Sequence, residues 1–306
     1  MIRSNRRNRL SRKSNRKSIR KSNRKRRTKS KNRVRRFNHK IKKDGRINPK
    51  ILCLTFNQGE ADSKNEEIIT KFNNLISVIN PDIIILSLQE CKSPIILDYM
   101  KSKYMEIIRK TLPQPINDKT LYLGIYSNNI DISILSSSHN YCSYINITKG
   151  SIYAKLKVQN KILHVFSAHL PHKPDDFLSR NKCIEDSIKS KNISEGESVI
   201  YMGDLNYRTN IGNPSKNSII SCKLSDKNKD QLKNNRILNT VNLKESSIEF
   251  CQTCRFLEGT SDYDSKRFPS WCDRILYRNM TSLGDYNSIR LTEASDHNAV
   301  YNIFQF

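Results

Sequence analysis

No run in the 306-residue sequence approaches the ~18 consecutive apolar residues a transmembrane helix needs, which excludes a membrane-embedded protein. No apolar segment opens the chain, so a cleaved secretory signal is not expected. Acidic side chains are missing from residues 1–43, where 22 Lys or Arg stand before Asp44, the first carboxylate. There is no Gly-x-x-x-x-Gly-Lys loop, which disfavours ATP-driven chemistry. There is no Cys-x-x-x-x-x-Arg cradle either, which argues against a cysteine phosphatase. His/Cys clusters of the kind zinc prefers are also lacking. Among eight cysteines, Cys251-x-x-Cys254 is the only close pair, and two further ligands are not nearby. Scattered cysteines in a chain without a signal are expected to be reduced, intracellular thiols.

What is present divides into two parts. The chain holds 55 Lys+Arg and 29 Asp+Glu, a net charge of +26, yet beyond residue 43 there are 33 basic and 29 acidic residues. A basic arm (residues 1–46) therefore precedes a mildly basic body (47–306). The arm repeats Ser14-Asn-Arg-Lys, Ser18-Ile-Arg-Lys and Ser22-Asn-Arg-Lys at a period of four. Its apolar surface is too small to offset the entropy of ordering, so disorder is expected. A nuclear address, a nucleic-acid contact and a tether to anionic lipid all fit such an arm. The body lacks heptads, and a monomer in the cytoplasm, at a membrane periphery or in the nucleus is the expectation.

The body reads as α/β. Strands are expected at Ile51–Phe56, Ile83–Leu88, Leu121–Tyr126, Asp131–Leu135, Ser151–Val158, Lys161–Ala168, Ser198–Met202, Asp273–Tyr277 and Ala299–Phe304. Helices are expected at Glu66–Ile79, Pro94–Lys110 and Asp175–Lys189, the last with acids in its first turn. Residues 209–247 are polar and read as loops with short helices. This grouping predicts two packed sheets with helices outside.

Polar residues stand at the ends of these apolar strands: Asn57, Gln89-Glu90, His169, Asp204 with Asn206, and Asp296-His297. Singly, each has an ordinary explanation, a turn, a cap or a core histidine. Five together favour one shared rim, where a rigid scaffold places its chemistry. Glu90 and Asp296 are hard oxygen ligands suited to Mg²⁺. His169, His297, Asn206 and Asn57 can donate to phosphate oxygens, and Asp204 can take a proton from water.

Residues 51–306 resemble the inositol polyphosphate 5-phosphatases of the endonuclease/exonuclease/phosphatase superfamily. The resemblance rests on Gly203-Asp-Leu-Asn-Tyr-Arg208 and Pro269-Ser-Trp-Cys-Asp-Arg-Ile-Leu276. Shorter matches fall in order at Thr55–Asn57, Gln89-Glu90, Ser167–His169 with Arg180-Asn181, and Ser295–His297. It implies a two-sheet sandwich and Mg²⁺ held by Glu90, Asn57 and Asp296. It also implies a water positioned or deprotonated by Asp204, phosphate contacts from Asn206 and His169, and a donor His297 oriented by Asp273. The implied reaction is in-line removal of a 5-phosphate from a phosphoinositide or a soluble inositol phosphate. The family's Phe-x-Pro-Thr-Tyr-Lys segment appears here as Phe250-Cys-Gln-Thr-Cys254-Arg255, with Arg255 as the replacement cation. Lys266, Arg267 and Lys173 are further substrate-binding candidates. Arg208 and Arg274 are either substrate contacts or structural ion-pair residues. The alternative is a metal-dependent nuclease of the same superfamily, using the arm to hold RNA or DNA.

Overall fold

A computed structural model of the chain describes residues 48–59, 64–113, 119–128, 130–143, 147–209, 222–257, 259–291 and 293–306. The basic arm lies outside the described residues. The first strands are β1 (Ile51–Asn57), β2 (Ile83–Cys91), β3 (Met105–Thr111) and β4 (Thr120–Ser127). Then come β5 (Ile132–Tyr141), β6 (Gly150–Val158), β7 (Lys161–His169), β8 (Ser198–Asp204), β9 (Lys244–Glu245) and β10 (Asp273–Arg278). The last are β11 (Thr281–Ser282), β12 (Asn287–Ile289) and β13 (Ala299–Gln305). One sheet runs β11-β13-β1-β2-β4-β3, with β12 also on β13; the other runs β5-β6-β7-β8-β10-β9. Helices α1 (Asn65–Ile79), α2 (Ile95–Lys103) and α3 (Phe177–Lys189), with the short α4 (Gln231–Asn234) and α5 (Ile237–Thr240), complete the elements the site needs.

Alternation along the strands explains the layers. Ile51, Cys53, Ile83 and Ile85 pack between the sheets with Ile152, Val165, Ile200 and Met202. Their neighbours Leu52, Leu54, Phe56, Ile84 and Leu86 face outward onto Ile68, Phe72 and Ile76 of α1 and Leu97 and Met100 of α2. Phe166 and Tyr201 do the same against Ile184 of α3. Central strands are thus buried on both faces, which is why Ile83–Leu88 is almost continuously apolar. Each such buried side chain contributes about 1.5–3 kcal/mol. Helix α1 stops where Asn80 turns left-handed (φ 48°) and donates its backbone N–H to Ile76 O; Pro81 cannot continue it.

The structure corrects several expectations. The helix expected over Pro94–Lys110 ends at Lys103; Tyr104 is extended, and Met105–Thr111 is an edge strand paired with β4. Short apolar runs do not separate the two periodicities, and pairing along β4 decides this one. Helix α3 starts at Phe177, so Asp175 and Asp176 precede its first turn. Four cysteines are not free thiols: Cys142 is bonded to Cys183 and Cys222 to Cys251. Cys53, Cys91, Cys254 and Cys272 are free and buried. Among the described residues no helix is long and apolar enough to cross a membrane.

Candidate active site

Strand register builds the site. Across the parallel β7/β8 pair His169 stands opposite Asp204, and across the antiparallel β8/β10 pair Asp204 stands opposite Asp273. In the other sheet Asn57 is opposite Gln89, one residue from Glu90. The Gly203 before Asp204 is obligatory: a Cβ there would lie 1.8 Å from Ala168 O, at φ 151°. Three pocket residues hold left-handed backbone that side-chain-bearing residues seldom adopt, Glu90 (φ 52°), Asn206 (φ 56°) and Arg255 (φ 76°). Strain of this kind, on the order of 1–3 kcal/mol each, persists where the surroundings over-determine the geometry.

These ends open on a cavity of about 350 Å³. Its acids are Glu90, Asp204 and Asp296; its cations are Lys149, Arg208 and Arg255, with the imidazoles of His169, His172 and His297. Asn57 Nδ2 donates to Asp204 Oδ2 at 2.9 Å and reaches Glu90 Oε1 at 3.5 Å. His169 Nε2 lies 3.4 Å from Asp204 Oδ2 and 3.6 Å from Glu90 Oε1. The Lys149 ammonium is hydrogen-bonded to the same Nε2 and lies 3.3 Å from Nδ1. Asp204 Oδ1 accepts from the backbone N–H of Asn206, whose Nδ2 donates to Leu170 O. His297 Nδ1 meets Asp273 Oδ2 at 2.9 Å, and Thr253 Oγ1 donates to that same oxygen at 2.7 Å.

Charge follows from these neighbours. Burial works against ionisation of Asp204, but His169, His297 and Lys149 outweigh it and hold the carboxyl well below the ordinary range. Burial likewise opposes charge on Glu90, and His169 and Lys149 reverse it. His169 is pushed toward neutrality by burial and then by Lys149. Lys149 shares the Nε2 face of this ring with the two carboxylates. Burial disfavours charge on His297 too, yet Asp273 raises its pKa well above the ordinary value, helped by Asp296 and Asp204. Burial lifts the Asp273 carboxyl to about 6, which leaves it anionic at neutral pH beside a protonated His297.

The donor set fits a hard divalent cation. Ligand atoms of Asp204, Asp273 and His297 lie within 4.8 Å of one another, but a protonated His297 offers no lone pair and occupies Asp273, which leaves Asp204 as the member free to face a cation. Glu90 converges on the same His169 nitrogen as Asp204, and Asp273 Oδ1 is buried with no hydrogen-bond partner. Carboxylate oxygens of this kind suit Mg²⁺ or Ca²⁺. Asn57 faces the carboxylates with its amide nitrogen while its Oδ1 accepts from Gly59 N. As a ligand it would present the opposite face of the amide.

Of the residues expected from sequence, Asn57, Glu90, His169, Asp204, Asn206, Arg208, Arg255, Asp296 and His297 line the cavity. Asp273 stands behind His297. Arg208 donates to Asn206 Oδ1 and to His172 O, so it braces the pocket wall it lines. Arg274 does not line the cavity. It is 1% exposed and pairs with Glu245 and with Asp230, the latter at 2.9 Å. Lys173, Lys266 and Arg267 do not line the cavity. Lys173 is exposed and contributes its carbonyl to Arg180, Lys266 is exposed, and Arg267 feels the charge of Arg255 most strongly. Arg180 itself ties down the carbonyls of Pro171, Lys173 and Pro174 and the side chain of Gln231. Lys149, Thr148 and His172 were not among the expected residues. Lys149 enters from the start of a strand: Gly150 pairs with His169 in the β6/β7 ladder, so the residue before it reaches the rim where β7 ends.

Residues 54–303 match Endonuclease/Exonuclease/phosphatase family 2. The type II inositol 1,4,5-trisphosphate 5-phosphatase of Mus musculus is 28% identical over 178 residues, 51% of this chain and 18% of that protein. The phosphatidylinositol 4,5-bisphosphate 5-phosphatase INP51 of Saccharomyces cerevisiae is 30% identical over 171 residues, again 51% and 18%. The match therefore spans less than a fifth of the length of these relatives. Among solved structures, the inositol polyphosphate 5-phosphatase domain of SPsynaptojanin, in complex with inositol (1,4)-bisphosphate and calcium ion, is similar with a TM-score of 0.66 and 22% identity, covering 84% of each chain. D. rerio TDP2 complexed with single strand DNA product shares the fold at a TM-score of 0.54 and 16% identity, covering 83% of this chain and 98% of that one. Because the family match runs from within β1 to within β13 and takes in both sheets, the chain belongs to Endonuclease/Exonuclease/phosphatase family 2.

Proposed function

We propose that the chain is a Mg²⁺-dependent phosphomonoesterase that removes the 5-phosphate of phosphatidylinositol polyphosphates or soluble inositol polyphosphates by direct attack of water. The observation that carries this reading is the single cavity where ionised Asp204 and protonated His297 face each other among Lys149, Arg208 and Arg255. The named 5-phosphatase relatives support the substrate class.

Glu90, with Asn57 and Asp296 beside it, would hold the cation. When bound, Mg²⁺ neutralises phosphate charge in the ground and transition states. The chain's own groups supply the rest. Asp204 is held ionised and is fixed by Asn57 and the Asn206 N–H, so it orients a water by accepting its hydrogen bond. Its lowered pKa makes it a weak store for the proton. His297, protonated and aligned by Asp273, donates to an oxygen that gains charge as the P–O bond breaks. Asn206 and His169 fix neighbouring groups around the scissile phosphate. Arg255 offers a planar guanidinium to an adjacent phosphate in place of the family's lysine. Phosphate monoesters hydrolyse so slowly unaided that these contributions must together supply on the order of 20 kcal/mol.

The test is phosphate release by the full chain with Mg²⁺ from inositol 1,4,5-trisphosphate and from short-chain phosphatidylinositol 4,5-bisphosphate, with Asp204→Ala as control. Release that is lost in the variant supports the reading. Silence on both inositol substrates with cleavage of an RNA oligomer would replace it with the nuclease alternative. Salt-sensitive binding of the full chain to anionic vesicles, lost on deleting residues 1–43, tests the arm as a tether.

A further inference from the structure

Among the described residues two cysteines meet without being bonded. Cys254 Sγ and Cys272 Sγ lie 2.7 Å apart, and both side chains are fully buried. A disulfide needs about 2.05 Å between sulfurs, so closure asks for a shift of well under 1 Å. The pair belongs to this chain's own sequence: Cys254 stands where the resembled family's segment carries tyrosine.

The two sulfurs sit beneath the site. Thr253, just before Cys254, donates Oγ1 to the carboxylate of Asp273, just after Cys272, and receives the Asp273 N–H in return. Asp273 then orients His297. Cys254 also pairs as an isolated bridge with Ser270 and with His297. On the cavity side, the guanidinium of Arg208 lies against the Cys254 sulfur, with Nη1 at 3.6 Å. Arg208 thus touches both the cavity and the buried sulfur, and a small oxidant in the pocket would reach Cys254 when that side chain moves aside.

We propose that Cys254 and Cys272 form a reversible disulfide that switches the site off. With hydrogen peroxide as oxidant, the Cys254 sulfur attacks one peroxide oxygen, the O–O bond breaks and the first water leaves. The Cys272 sulfur then displaces the hydroxyl of the Cys254 sulfenic acid as a second water. Two thiols are oxidised and one peroxide is reduced to two waters. The new bond pulls on the two segments that hold Thr253 and Asp273 in register, so the alignment of His297 is the property it disturbs. The effect on turnover rests on the proposed phosphatase activity; formation of the bond does not.

The experiment treats the full chain with a few equivalents of hydrogen peroxide, then maps tryptic peptides without reduction and follows the emission of Trp271, the sole tryptophan, which adjoins Cys272. The expected result is the Cys272 peptide joined to the peptide of residues 245–255, which already carries the Cys222–Cys251 bond, with a change in Trp271 emission, both reversed by dithiothreitol and both absent in Cys254→Ser. Phosphate release should fall at least tenfold on oxidation and return on reduction, while Cys254→Ser keeps the reduced activity and no longer responds. No linked peptide in the oxidised wild type, or an unchanged emission response in the variant, would overturn the disulfide. Equal turnover in both states with the peptide present would overturn the switch. A reduced chain that releases no phosphate would instead remove the phosphatase reading, while the peptide map and Trp271 still decide this one.

Discussion

His297 Nδ1 lies 2.9 Å from Asp273 Oδ2, and the residue that binds the other side of that oxygen, Thr253, is 20 positions away along the chain. The protonated state of His297 depends on this contact, because burial alone would discharge the ring. Asp273→Asn removes the largest of the anions that raise the His297 pKa, so that pKa falls. The acid form is then lost at lower pH, and the alkaline limb of kcat against pH should move toward acid. Activity at pH 7 should drop by roughly 10²–10⁴-fold. An unchanged alkaline limb in the variant would contradict the assigned role.

Lys149 predicts a separation of activity from stability. Its pKa is lowered, with burial the leading cause and Asp204 and Glu90 opposing it. A lysine with a depressed folded pKa costs the fold stability while it is charged, and that cost fades as pH rises through the folded value. Lys149→Met should therefore melt no lower than the parent at pH 7. Loss of one charge-assisted contact to substrate should reduce kcat/KM by about 10–100-fold. Calorimetry and phosphate-release kinetics on the same preparation check both halves.

Arg274 predicts the reverse. Its removal leaves Asp230 and Glu245 buried without their cation, a loss on the order of 3–5 kcal/mol. Arg274→Met should lower the melting temperature by about 10 °C or more, while turnover per folded molecule at low temperature stays close to the parent's.

Gly203 offers the sharpest steric test. A Cβ at 1.8 Å from Ala168 O cannot be absorbed by a side-chain shift, since the three nearest atoms are all Ala168 backbone. Gly203→Ala should cost more than about 3 kcal/mol in urea unfolding, among the larger effects of a single methyl. Any folded fraction should lose activity with it, because β7 and β8 must separate where His169 and Asp204 stand.

The architecture was legible in the sequence wherever burial on both faces left uninterrupted apolar runs, as in Ile83–Leu88 and Val199–Met202. The site was legible because polar residues interrupt those runs at one end: Asn57, Glu90, His169 and Asp204 all line the cavity. Three things were not. Strand β3 hid behind α2, since its apolar residues fit a continued helix until β4 supplies a partner. Lys149 hid at a strand start, where a charge before an apolar run looks like an ordinary boundary. The partners of Cys142, Cys222 and Arg274 hid because they lie 29 to 44 residues away, and spacing carries no information about such pairings; the disulfides span 41 and 29 positions.

Strand β1 lies between β2 and β13, with Ile51 opposite Phe304. One edge of β1 thus waits for a strand made some 250 residues later, and Ser295 Oγ closes onto Asn57 O across 238 positions. During synthesis that edge is open, and contacts so distant in sequence form slowly. The cavity-lining Asn57 is positioned only once β13 has docked. A nascent or truncated chain that stops before Ala299 would hold most of the hydrophobic layers yet lack an assembled pocket, so catalytic competence would arrive as the last step of folding rather than accumulate along the way.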